Sequence, residues 1–213
     1  MNVMASRFAR LLACAAVPAM VIASGSAASA SPHSGQQESP APLSAPAPHA
    51  ADYPALPNPC KTISRHTVHQ MVPNADNPNG ESHPDPNVKL GCNWQGGPLD
   101  QWHSLSSILE RFDSAPGGAS GRDRAKAAYK QKVQYLVKVN QWKVTSLSGL
   151  GDQATLLTGD WKEDGYQFHT ASVVFRSANA VVFIDFYGTG MQAAKMSKQA
   201  QQAAKEALAS LKR

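Results

Sequence analysis

The chain has 213 residues, with 20 Lys and Arg against 15 Asp and Glu, a formal charge of +5. That mild excess is spread along the chain rather than gathered into a basic patch, which excludes nucleic acid as the expected partner.

The first thirty residues read as a secretory signal peptide. Arg7 and Arg10 supply a positive start, residues 11–23 are uncharged and apolar, and Ala28, Ser29 and Ala30 offer the small side chains of a cleavage site. The apolar stretch stops near Ala23 and contains Pro18, short of the roughly 20 residues a membrane span needs. Only Leu11 to Ala13 lie between Arg10 and Cys14, too few for lipid attachment after a normal apolar region, so Cys14 is expected to leave with the leader. Cleavage near Ala30 leaves 183 residues with 18 basic and 15 acidic side chains, and predicts a secreted protein with no membrane span.

Residues 31–57 hold seven prolines and almost no large aliphatic groups. Such a segment cannot bury enough apolar surface to offset the entropy of ordering it, so it is expected to be a disordered linker. A single domain is then expected over 58–213, about 156 residues, enough for one core.

Once Cys14 is gone, Cys60 and Cys92 remain, and an even count in an exported chain predicts a disulfide. Closing a loop of about 30 residues stabilises the fold by somewhat under 4 kcal/mol on chain-entropy grounds. The loop includes 73–87, which is polar and proline-rich and cannot hold itself in place. Ahead of it, Ser64 is a good N-cap, and Ile63 and Val68 have the spacing of a hydrophobic staple. Val68, Met71 and Val72 share one face of this short helix, and Pro73 ends it. His66 and His69 stand three apart on it, but two imidazoles without a third ligand make a weak metal signal, and surface histidines are the simpler reading.

Two strands follow around Cys92–Trp94 and over "WHSLSSILERF", joined by the turn "GGPLD". After the loop "SAPGGASG", the spacing of Ala125, Ala128, Tyr129, Lys132, Val133 and Leu136 predicts a long amphipathic helix. "VKVNQWKVTSL" is ambiguous, with Val137, Val139 and Trp142 able to form a further edge strand. "GLGD" lacks the following helix that a phosphate loop needs, so it reads as a tight turn with Asp152 fixing it through its side chain. A strand then runs to a hairpin turn at Asp164-Gly165. Asp160, Glu163 and Asp164 gather there without calcium-loop spacing, as a solvated turn. "FHTASVVFR" and "VVFIDFYG" complete a three-stranded antiparallel meander, the last and most apolar strand lying centrally. The chain closes with a helix over 191–212 whose apolar stripe is Ala200, Ala203, Ala204, Ala207, Leu208 and Leu211. Trp94 is expected in the core near the disulfide, and Trp102 and Trp161 near strand ends, packed in the core or at its boundary.

The expected fold is therefore α+β: an antiparallel sheet of five or six strands with two long helices packed on one face, one short N-terminal helix and one disulfide.

The order of "NPC" with a short capped helix, "CNW", "GLGDQA", "SVVFRSANAVVFIDFYG" and a final helix resembles an actinobacterial family of exported proteins and lipoproteins, domain of unknown function 3558. The resemblance spans residue 58 to the end. It implies an envelope or extracellular setting and, by fold analogy, a likeness to extracellular sensor domains of receptor kinases. It brings no catalytic residues, and without a lipidation cysteine here membrane tethering is not carried over.

No serine elbow, H-E-x-x-H, Walker loop or dinucleotide fingerprint is present in the sequence. The leading expectation is a secreted, non-enzymatic binding module without cofactor or metal, whose partner is an extracellular protein or envelope component. Two alternatives stand beside it: a secreted hydrolase using His66, His69 or His103 with an acid, and a sensor-like or inhibitor domain acting through 73–87.

Overall fold

Buried apolar positions along the inner strands, and helical stripes on two long segments, produce one antiparallel sheet flanked by helices. The computed structural model describes residues 52–75, 78–82 and 89–213. The leader, Cys14, most of the linker, and positions 76–77 and 83–88 of the polar loop lie outside the described residues.

A 3-10 turn at Pro59–Lys61 leads into the short helix α1, Arg65–Met71. Ser64 caps it, its Oγ accepting the Thr67 N–H at 3.2 Å, and Ile63 and Val68 are both buried as a staple requires. The strands are β1 Asn79–Ser82, β2 Lys89–Gly96, β3 His103–Arg111, β4 Lys143–Leu147, β5 Gln153–Glu163, β6 Tyr166–Ser177 and β7 Ala180–Thr189. Helix α2, Gly121–Asn140, follows β3, and α3, Ala193–Leu211, closes the fold. The sheet order is β1-β2-β3-β7-β6-β5-β4, every pair antiparallel. Six of these strands make up the expected sheet, and β1 adds a four-residue edge strand inside the stretch read as an unstructured loop. Strand β7 is central, as its composition requires.

The two long helices do not share a face. The stripe of α3 packs with α1 on Leu105, Val173, Phe175, Val182, Ile184 and Phe186. Residues of opposite parity, Leu157, Val174 and Val181, meet Ala125, Tyr129 and Leu136 of α2. Neighbouring residues point to opposite sides of a sheet, so α2 and α3 lie on opposite faces. The physical reason is the unbroken buried run Thr170–Phe175 on β6. A strand buried at every position must be covered on both sides.

Helix α2 absorbs Val137 and Val139 and ends at Gln141 in the left-handed conformation, φ 55°. Trp142 then folds onto Gly159 of β5. A Cβ at Gly159 would stand 2.2 Å from the indole, so only glycine admits the ring there.

Residues ahead of Asn58, from Asp52 onward, are bound to the domain. Asp52 pairs with Arg122 at 2.9 Å, and the Tyr53 N–H donates to the Asn179 side chain at 2.8 Å. The Tyr53 hydroxyl meets Ser177 at 2.8 Å, and Arg111 donates to the Pro54 carbonyl. Tyr53 and Leu56 pack on the core, which offsets the ordering cost that the proline-rich composition alone could not. The described residues all fall within one compact unit, Pro42–Arg213, and among them no helix is long and apolar enough to cross a membrane.

Candidate functional site

The sheet face that carries α2 is only half covered. Helix α2 lies over β5, β6 and the near side of β7, while the stretch toward β3 and β2 stays partly open. The burial of β7 and β3 shows it: residues facing α3 are buried, and Ser106, Ile108, Phe183, Asp185 and Tyr187 on the other side remain partly accessible.

Strand register sets two polar rows across this opening. One row runs Asn93, Ser106, Asp185, Ser172 over β2, β3, β7 and β6. The next runs Gln95, Ser104, Tyr187, Thr170. Ser172 donates its hydroxyl to Asp185 Oδ1 at 2.5 Å. The Asn93 amide donates to Ser106 at 2.8 Å and to Ser104 at 3.3 Å, and the Gln95 amide donates to Asn93 Oδ1 at 2.8 Å. Burial pushes the Asp185 carboxyl up to about 6, against the opposing pull of the Ser172 hydrogen bond and of Lys132. Burial likewise raises the Tyr187 phenol to about 12, with the Ser104 hydrogen bond opposing and Asp185 adding to it. Near neutrality the face thus presents one carboxylate, two carboxamides, several hydroxyls and a neutral phenol.

Aromatic rings border these rows. Tyr187 lies 5.5 Å from Trp102 and 6.2 Å from Trp161, centroid to centroid, and all three rings are partly exposed. Trp161 stacks on Phe168, its partner across β5 and β6, at 5.0 Å and 9°. The boundary positions expected for Trp102 and Trp161 are where the fold places them.

Cys60 and Cys92 form the disulfide, with Cα atoms 5.2 Å apart, and Trp94 is buried in the same core. Of the three candidate histidines, two share helix α1 and the third begins β3. His66 and His69 are exposed on α1, with His66 bonded to Gln70. His103 is buried on the α3 face beside Phe186, and neither of its ring nitrogens has a hydrogen-bond partner. Burial lowers its pKa, the Thr189 backbone opposing and Lys195 adding to the shift. Among the described residues no three His, Cys, Asp or Glu stand close enough to hold a metal ion. Asp160 meets His169 at 2.5 Å, and Asp164 forms the hairpin turn with Gly165, both at positive φ. Asp152 does not fix its own turn. Its carboxylate accepts the Ala178 N–H at 2.9 Å and pairs with Arg176 at 2.9 Å, bracing the β6–β7 hairpin.

The sequence reading passed over Asp185, Ser172, Ser106 and Asn93. The available signal was the lone acid inside "VVFIDFYG", since a polar group in a central strand needs a partner or a purpose. A second opening, a groove of about 510 Å³ near Tyr53, Arg122, Asp152 and Lys212, is less suited to a ligand. Its Arg122 and Asp152 are already paired within the chain.

No family model matches the chain, and no curated protein matches it. Among solved structures it is similar to the extracellular domain of PknH from Mycobacterium tuberculosis, at TM-score 0.43 and 10% identity, covering 75% of this chain and 98% of that one. It is also similar to LpqN, involved in cell envelope biogenesis of the same organism, at TM-score 0.35 and 14% identity, covering 61% and 82%. PA94 of Pseudomonas aeruginosa, a protein of unknown function, matches at TM-score 0.32 and 17% identity, covering 61% and 80%. Identities this low transfer no residue's role.

Proposed function

We propose that the chain is an exported, disulfide-bonded binding module of the bacterial cell envelope or exterior, related to the domain of unknown function 3558 family, which acts by holding a ligand rather than by turnover. The observation that carries the reading is the half-open sheet face. A carboxylate in the central strand is kept ionisable at a cost to stability, next to amides, hydroxyls and three accessible aromatic rings. The Cys60–Cys92 bond supports an oxidising compartment. Exposure of His66 and His69 on α1, with His103 buried on the other side of the sheet from the polar rows, favours binding over the hydrolase alternative.

The test is retention of the exported, oxidised protein on an envelope fraction of the producing organism. Ser106→Arg sets a bulky cation in the opening and is expected to abolish retention. Thr145→Arg, on the exposed edge strand β4, is expected to leave it unchanged. Equal retention of both variants overturns the assignment of this face. Turnover of a substrate by the purified domain, lost on a point substitution, overturns the binding reading.

A further inference from the structure

We infer that this face binds a carbohydrate chain presenting free hydroxyls; the inference rests on the binding reading above and names its ligand class. A sugar ring has two kinds of surface. Its C–H faces are apolar and flat, and its rim carries paired hydroxyls that both donate and accept. The face offers a counterpart to each. Trp102, Tyr187 and Trp161 form a continuous aromatic border, with Trp161 braced from below by Phe168. Rings fixed in this way lose little freedom on binding. Beside them, Gln95 and Asp185 supply a carboxamide and a carboxylate that can take sugar hydroxyls, while Asn93, its amide donating to Ser104 and Ser106, holds the row in place.

Other occupants fit less well. A polyanion requires free cations, but Lys89 is paired with Glu110 at 3.3 Å and Lys132 lies over the Phe183 ring, 5.4 Å from its centre. An apolar helix or an acyl chain would leave the hydrogen-bonding capacity of Gln95 and Asp185 beyond their bonds within the rows without a partner, at a penalty for each. Hydroxyls satisfy both.

The experiment treats the envelope fraction before adding the exported, oxidised protein. Periodate cleaves vicinal diols, protease removes protein, and organic solvent removes lipid. Retention is expected to fall at least tenfold after periodate and to survive the other two treatments. Trp102→Ala is expected to lower retention at least tenfold, and Asn93→Ala several-fold without disturbing the aromatic packing. Trp142→Phe, whose ring lies on Gly159 beneath α2, should bind as the unaltered protein does. Retention that survives periodate and falls with protease or solvent overturns the carbohydrate inference while leaving the binding reading in place. Absence of retention on the untreated fraction overturns both.

Discussion

Asp185 is the residue at which stability and binding pull in opposite directions. Its folded-state pKa of about 6 lies above the ordinary 3.8, so the folded protein holds this proton more tightly than the unfolded chain does. The stabilisation is complete below about pH 4 and is lost as pH rises through 6. Asp185→Asn keeps an oxygen for the Ser172 hydroxyl and removes the buried charge. It is expected to raise stability at pH 7 by up to about 3 kcal/mol and to change little at pH 3.5. Urea unfolding at the two pH values checks this, and an equal effect at both would place the cause in packing. Ala178 is a second residue under strain, held at φ 50° in the β6–β7 turn. Ala178→Gly relieves that strain but gives up a buried methyl, so a gain of about 0.5 kcal/mol is expected, seen as a Tm rise of about 1–2 °C.

Helix α1 is too short to be stable alone and depends on its neighbours. Glu206 of α3 accepts the Ser64 N–H and the Thr67 hydroxyl, each at 2.7 Å, and the Gln202 amide at 3.1 Å. Burial raises its pKa, but the hydrogen bonds from Thr67, Ser64 and Gln202 outweigh burial and leave it lowered. Its contribution is therefore present above the unfolded carboxylate range and lost as pH falls through the lowered folded value. Glu206→Gln is expected to cost about 1 kcal/mol at pH 7 and little in strong acid, with faster amide exchange confined to α1. Uniformly faster exchange would instead mean that α1 and the sheet open together. The cap at Ser64, the staple of Ile63 with Val68 and the stripe on α3 were legible because each is a short-range pattern. The polar rows were not, because Asn93, Ser106, Asp185 and Ser172 become neighbours only through the register of four strands.

For the molecule as a whole, the disulfide joins the N-terminal turn to β2 across 32 positions. Replacing both cysteines by serine is expected to cost about 3–4 kcal/mol, read from urea unfolding with the slope fitted separately for each form, since the freed unfolded chain exposes more surface. Intact mass of the exported protein, with and without reductant, should differ by two hydrogens; no difference would mean free thiols. Among the described residues, helix α2 on one face and α3 on the other leave the β2–β3–β7 side of the α2 face partly open, so the overall arrangement decides where a ligand can sit.

Sequence alone determined the α+β class, the cysteine pair, the capped helix, the Asp164-Gly165 hairpin and the central place of "VVFIDFYG". Each depends on hydrophobic period or local backbone chemistry, which act over a few residues. Only the tertiary structure decided that the long helices flank the sheet, that residues from Asp52 onward are bound to it, and that Asp185 lies in a row with Asn93, Ser106 and Ser172 beside three aromatic rings. Those outcomes depend on which faces are left to cover once the strands have paired, a balance of burial between segments tens of residues to more than a hundred apart.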